Sequence, residues 1–97
     1  MIMATIPDIT VDSTEYVSVN TLTGIAVGTA MSILNKTTNW TRVQEIVAKP
    51  ADTDTAGVLI SSMSESYARA DVALGSSEIW VRVAEEGRVA TLSVQEI

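Results

Sequence analysis

The chain of 97 residues contains no cysteine, no histidine and no phenylalanine. Without cysteine there is no disulfide framework, no thiolate metal site and no thiol nucleophile. Without histidine the commonest general base and metal ligand is missing. Aromatic residues are scarce: Trp40, Trp80, Tyr16 and Tyr67 are all there are. The core is therefore aliphatic. At this length it is also modest, because such a chain buries only about 60–65% of its unfolded surface. Self-association, or docking on a larger body, is an available source of further stability.

Basic residues are few as well. Lys36, Arg42, Lys49, Arg69, Arg82 and Arg88 are scattered, and the formal net charge is −6. An acidic domain without a basic run repels polyanions, so neither nucleic acid nor a membrane surface is expected as a partner. Long hydrophobic runs are missing too. The longest, Leu22 to Leu34, is interrupted by Thr23, Thr29 and Ser32 and falls well short of a bilayer span. Gly24 and Gly28 have GxxxG spacing, but the apolar segment a membrane helix pair needs is not there. The N-terminus has no basic stretch followed by a continuous apolar one, so no signal peptide is expected.

What the chain has in quantity is β-branched residues. Thr, Val and Ile make up 33 of the 97, which favours strands. The most regular alternation is C-terminal. Glu78 to Ala84 and Val89 to Gln95 flank Glu85-Glu86-Gly87-Arg88, and Gly87 suits a tight turn. Read as a hairpin over 78–95, Val83 faces Ala90, Val81 faces Leu92 and Ile79 faces Val94. Ile79, Val81, Val83, Ala90, Leu92 and Val94 then share one apolar face. Trp80 and Arg82 lie on the other face, which makes the tryptophan conspicuous.

Upstream, Met1 to Thr14 reads as an N-terminal arm or an edge strand, and residues 15–97 as a single β domain. Glu15 to Asn20, Thr29 to Leu34, Trp40 to Val47 and Val58 to Ile60 read as strands. Asn35 to Asn39 is a polar turn, Lys49 to Gly57 an exposed loop and Ser61 to Ser66 a serine-rich loop. Ala68 to Leu74 alternates as a two-sided strand, although Glu65 to Leu74 also suits a short amphipathic helix. About seven short antiparallel strands at regular spacing predict an all-β fold, a small β-sandwich or partly open barrel.

No chemistry emerges from the motifs. Asp52-Thr53-Asp54 with Gly57 opens like a calcium loop, but Ala56 and Met63 stand where ligands are required. Glu85 and Glu86 are adjacent, so on a strand end they point apart rather than sharing a substrate. Ser61, Ser62, Ser64 and Ser66 have no base to activate them. Asn35-Lys36-Thr37 and Asn39-Trp40-Thr41 fit the N-glycosylation pattern, yet read as turn chemistry in a chain without a signal peptide. No catalytic residue, metal or cofactor is expected.

The order of signals carries a resemblance. Thr23 to Thr29 leads into Ser32-Ile33-Leu34-Asn35-Lys36. Val43-Gln44-Glu45 follows, then a Pro/Asp/Gly loop ending in Gly57-Val58-Leu59. Gly75 to Arg82 comes next, and the chain closes on Ala90-Thr91-Leu92-Ser93-Val94. Over roughly residues 20 to 97 this resembles the small β-sandwich virion proteins of tailed bacteriophages, which decorate or cement capsids or sit on fibres. The resemblance implies a non-enzymatic structural protein on the capsid surface of a virion. Its partner would be the major capsid protein or another virion protein, and it would act as a homo-oligomer, dimer or trimer. A fibre- or tail-associated adaptor or receptor-binding module is the alternative. An enzyme is disfavoured by the missing His and Cys, and a sugar-binding module by the four aromatics. The expected interface residues are Trp80 and Arg82 on the hairpin, Trp40 with less weight, and Ile2 and Ile6 in the arm.

Overall fold

A computed structural model of the chain describes residues 6–60, 69–72 and 77–96. Its elements are β1 (Ile9–Asp12), β2 (Val17–Ser18), α1 (Val19–Thr23), β3 (Met31–Asn35), β4 (Thr41–Ile46), β5 (Val58–Ile60), β6 (Arg69–Val72), β7 (Glu78–Val83) and β8 (Val89–Glu96). They form two four-stranded sheets, β1-β8-β3-β6 and β2-β7-β4-β5. Every pairing is antiparallel. The all-β sandwich expected from the alternation is present. No helix among the described residues is long and apolar enough to cross a membrane.

The C-terminal hairpin is corrected. β7 and β8 belong to different sheets and do not pair. Val81 lies between Val17 and Val43, and Leu92 between Ile9 and Asn35. The connection from Ala84 to Arg88 is long enough to cross between sheets stacked roughly 10 Å apart, which a tight two-residue turn cannot do. Facing was read correctly all the same. Ile79, Val81, Val83, Ala90, Leu92 and Val94 are all buried in one cluster with Val19, Met31, Ile33, Val43 and Ile60. They meet across the sandwich rather than side by side. Among the described strands, only β4 and β5 are neighbours both in sequence and in a sheet.

The strand expected over Glu15 to Asn20 ends at Ser18. The Ser18 hydroxyl accepts the Thr21 N–H at 3.1 Å and caps α1. Gly24 closes the helix with φ +80° and donates its N–H to the Asn20 carbonyl at 2.9 Å. Capping at both ends here overrides the β-branched composition. Buried Asn20 then replaces the departed strand. Its Oδ1 accepts the Ile79 N–H at 2.9 Å, and its Nδ2 donates to the Ile25 carbonyl at 3.0 Å.

At the N-terminus, β1 is the edge strand of the first sheet, pairing Ile9 to Asp12 with β8. Just before it, the Gln95 carboxamide stands in for a further strand residue. It accepts the Ile6 N–H at 3.2 Å and donates to the Ile6 carbonyl at 3.1 Å. Downstream, Arg69–Val72 is a strand paired with β3 rather than a helix. The Ser61 to Ser66 loop lies outside the described residues.

One glycine is fixed by its surroundings. Gly57 opens β5 at φ +99°, and a Cβ there would lie 2.3 Å from the Val43 carbonyl oxygen and 2.7 Å from Gln44 Cγ. The backbone oxygen cannot yield without breaking the sheet. Gly57→Ala is therefore expected to cost at least about 2 kcal/mol, from the strained φ and the displaced strand together. Urea denaturation of the two proteins measures it.

Candidate protein-docking site

Trp80 and Arg82 lie on the outer face of the second sheet, opposite Gln44 and Arg42. That face is not open. The loop from Val47 to Gly57 is tied across it. Tyr16, only 1% exposed, donates its hydroxyl to the Asp54 carbonyl at 2.6 Å and accepts Gln44 Nε2 at 3.2 Å. Arg42 Nη1 donates to the Thr55 carbonyl, and Lys49 pairs with Glu15. Trp80 uses its indole N–H on the Ile46 carbonyl at 3.1 Å, at the base of the loop. Gln44 is buried and Trp80 half-buried.

Arg82 is more constrained still. Its side chain is 18% exposed, its guanidinium lies 3.8 Å from the Glu86 carboxylate, and its buried Nε has no hydrogen-bond partner among the described residues. It also sits directly across from Arg42, a like-charge pairing that works against the sheet. Both residues expected at the centre of an interface are thus largely occupied by the fold. Ile6 is likewise half-buried against the core, while Ile2 lies outside the described residues.

The outer face of the first sheet is a different surface. Thr10, Asp12, Ser32, Leu34, Val89, Thr91, Ser93 and Gln95 occupy the outward register positions of β1, β3 and β8. All but Leu34 and Val89 are polar groups that suit solvent.

Among the described aromatics Trp40 is the most exposed, at 39%. It stands at the end of the sandwich where the turn from β3 into β4 meets the connection from β7 to β8. Two hydrogen bonds fix its backbone. Its N–H donates to Glu85 Oε2 at 2.8 Å, and its carbonyl accepts the Ala84 N–H at 2.8 Å. Asn39 adds a third tie, donating Nδ2 to the Val89 carbonyl at 2.6 Å. Val89, 54% exposed, lies on the outer face of the first sheet, across from Asp12.

The turn behind Trp40 is built on Asn35, which is fully buried. Its Oδ1 accepts the Thr37 N–H at 3.0 Å and hydroxyl at 2.8 Å. Its Nδ2 reaches the Asn39 carbonyl at 2.7 Å and both Thr41 Oγ1 and the Ile60 carbonyl at 3.3 Å. Asn35 belongs to β3, whereas Thr41 and Ile60 belong to the other sheet, so one carboxamide joins the two. The glycosylation pattern at Asn35 is accordingly turn chemistry.

The acidic loop is organised by its own backbone. Asp54 accepts the Ala56 N–H at 2.9 Å through Oδ1, and its N–H donates to the Ala51 carbonyl at 2.9 Å. Among the described residues no three acidic side chains are grouped as a metal ion would require. Glu85 is engaged with Trp40, and Glu86 is 91% exposed. Strand alternation alone does not bring Glu85 to the Trp40 N–H. The available signal was the length of the connection between Val83 and Val89, which allows a crossing rather than a tight turn. Compared with known proteins, the chain matches no protein family, no curated protein and no solved structure.

Proposed function

We propose that the chain is a non-enzymatic structural protein of a tailed-phage virion, attached to the capsid through the end of the sandwich that carries Trp40. The resemblance over residues 20 to 97 and the lack of His and Cys support the class. The observation that carries the site is a tryptophan 39% exposed on a backbone bonded at both its N–H and its carbonyl. A large side chain presented from a fixed backbone loses little freedom on binding, and buried tryptophans dominate many interfaces. Attachment of this kind adds no chemistry. It bridges neighbouring capsid subunits, and a dimer or trimer of the chain would raise occupancy through avidity.

Trp40→Ala tests the proposal. The side chain contributes little to the core, so the melting temperature should fall by no more than a few degrees, in keeping with a surface substitution. Occupancy on purified virions, measured by re-adding the protein to particles that lack it, should fall roughly 30-fold, the effect of losing a hot spot of about 2 kcal/mol. Undiminished occupancy would remove Trp40 from the interface.

A further inference from the structure

We infer that the chain associates with a second copy of itself by pairing β1 against β1 across a twofold axis, so that their first sheets join into one. This contact is separate from the Trp40 end and does not depend on the docking reading. β1 is the outermost strand of its sheet and, among the described residues, pairs with β8 alone. Its other edge presents alternate backbone N–H and C=O groups, a template for a further strand. Ile9, Thr10 and Val11 are β-branched, the strand holds no proline or lysine, and its register with β8 runs without a bulge. The usual devices that blunt an edge are therefore missing. The second sheet shows the contrast. On the same side of the sandwich it ends in β2, only two residues long. There α1 packs over β7, and the Asn20 carboxamide takes the Ile79 N–H at 2.9 Å.

The residues of this edge are complementary to themselves in one register. Twofold pairing keeps inward side chains opposite inward ones when it is centred on a residue. Centring on Thr10 sets Asp12 against Asp8 of the second copy, and centring on Asp12 sets it against its own counterpart. Both oppose like charges. Centring on Ile9 brings Pro7, which has no N–H to give, into the ladder opposite Val11. Centring on Val11 avoids all three faults. Val11 then meets Val11 of the second copy and Ile9 meets Ser13, all buried on the inward side. On the outward side Asp12 meets Thr10 of the second copy, whose hydroxyl can donate to the carboxylate. Asp12 uses Oδ1 on the Thr14 N–H at 2.9 Å and keeps its other oxygen for that contact. Ile9 and Val11 are already 8% and 3% exposed, so the association rests on the backbone ladder and buries little more apolar area. The dimer is accordingly weak, with a Kd on the order of 0.1 mM.

Sedimentation velocity of the intact chain from about 0.02 to 1 mM should show a reversible monomer–dimer equilibrium. Thr10→Glu places a carboxylate against Asp12 of the second copy at two symmetric points and should weaken the dimer about threefold to tenfold. Thr10→Lys places an ammonium there and should tighten it by a similar factor. Thr10 is exposed, so neither substitution should move the melting temperature by more than a few degrees. Amide exchange should slow in β1 as the concentration is raised. A chain still monomeric at about 1 mM, a dimer indifferent to the charge at position 10, or one weakened by both charges would each overturn the inference. So would a dimer that protects other amides and not those of β1, or one lost with Trp40→Ala. The docking reading has its own readout, since virion occupancy should fall with Trp40→Ala whether or not the free chain dimerises.

Discussion

Asn35→Ala is expected to be the most damaging single substitution at a polar position, lowering the unfolding free energy by about 3–5 kcal/mol. The side chain has no solvent exposure and bonds five groups, the N–H and hydroxyl of Thr37, the Asn39 carbonyl, Thr41 Oγ1 and the Ile60 carbonyl. Alanine removes the buried bond to the Ile60 carbonyl and the bonds that hold the half-buried Thr37 to Asn39 turn. Each stranded buried group costs about 1–3 kcal/mol, and the vacated volume adds to the loss. For a domain of this size, 1 kcal/mol moves the melting temperature by about 4–8 °C, so a fall of at least about 12 °C is expected. Thermal unfolding followed by circular dichroism measures it. A shift below about 4 °C would mean that the turn re-forms without the carboxamide.

Leu92→Ala should come next, at about 3–4 kcal/mol. Leu92 is fully buried at the centre of β8, between Ile9 and Asn35 in its own sheet. Its side chain belongs to the cluster that includes Val43, Val81 and Val83 of the facing sheet. Truncation removes transfer energy and leaves a cavity between two sheets whose backbone ladders prevent collapse, which places the cost in the upper part of the usual range. Guanidinium denaturation should show a lower midpoint with an unchanged slope, the sign of a stability loss without a change of fold. Because Leu92 lies beside the Asn35 position in the ladder, the double variant should deviate from additivity.

Those two positions also show what a sequence reading can reach. The alternation of Ile79, Val81 and Val83, and of Ala90, Leu92 and Val94, identifies inward residues, because side chains on a strand alternate whatever the strand's neighbour is. It does not identify the neighbour. Two apolar faces meet whether their strands lie in one sheet or in facing sheets, so a hairpin and a crossing give the same pattern. Asn35 reads as a turn residue because turn chemistry is local, and its bonds to Thr37 and Asn39 are local. Its burial comes from Ile60, 25 residues away, and has no local signature. The helix α1 was legible in principle, since Ser18 and Gly24 are cap residues at the right spacing. The β-branched residues around them outweighed that signal.

The site was legible only as a choice of residue type. Both tryptophans could be singled out, yet their exposure depends on the long loop after β4. That loop folds back through Tyr16, Arg42 and Lys49 and leaves Trp80 half-buried, while Trp40 stays accessible. No periodicity could have ranked the two, because loop placement is set by these tertiary bonds.

The most direct measurement is a cryo-EM reconstruction of virions purified from cells that produce this chain. Trp40 should lie at the contact with a capsid protein, and the face bearing Thr10, Thr91 and Ser93 should be turned to solvent. A particle that lacks the chain, or one in which Trp40 faces solvent while that polar face makes the contact, would contradict the account.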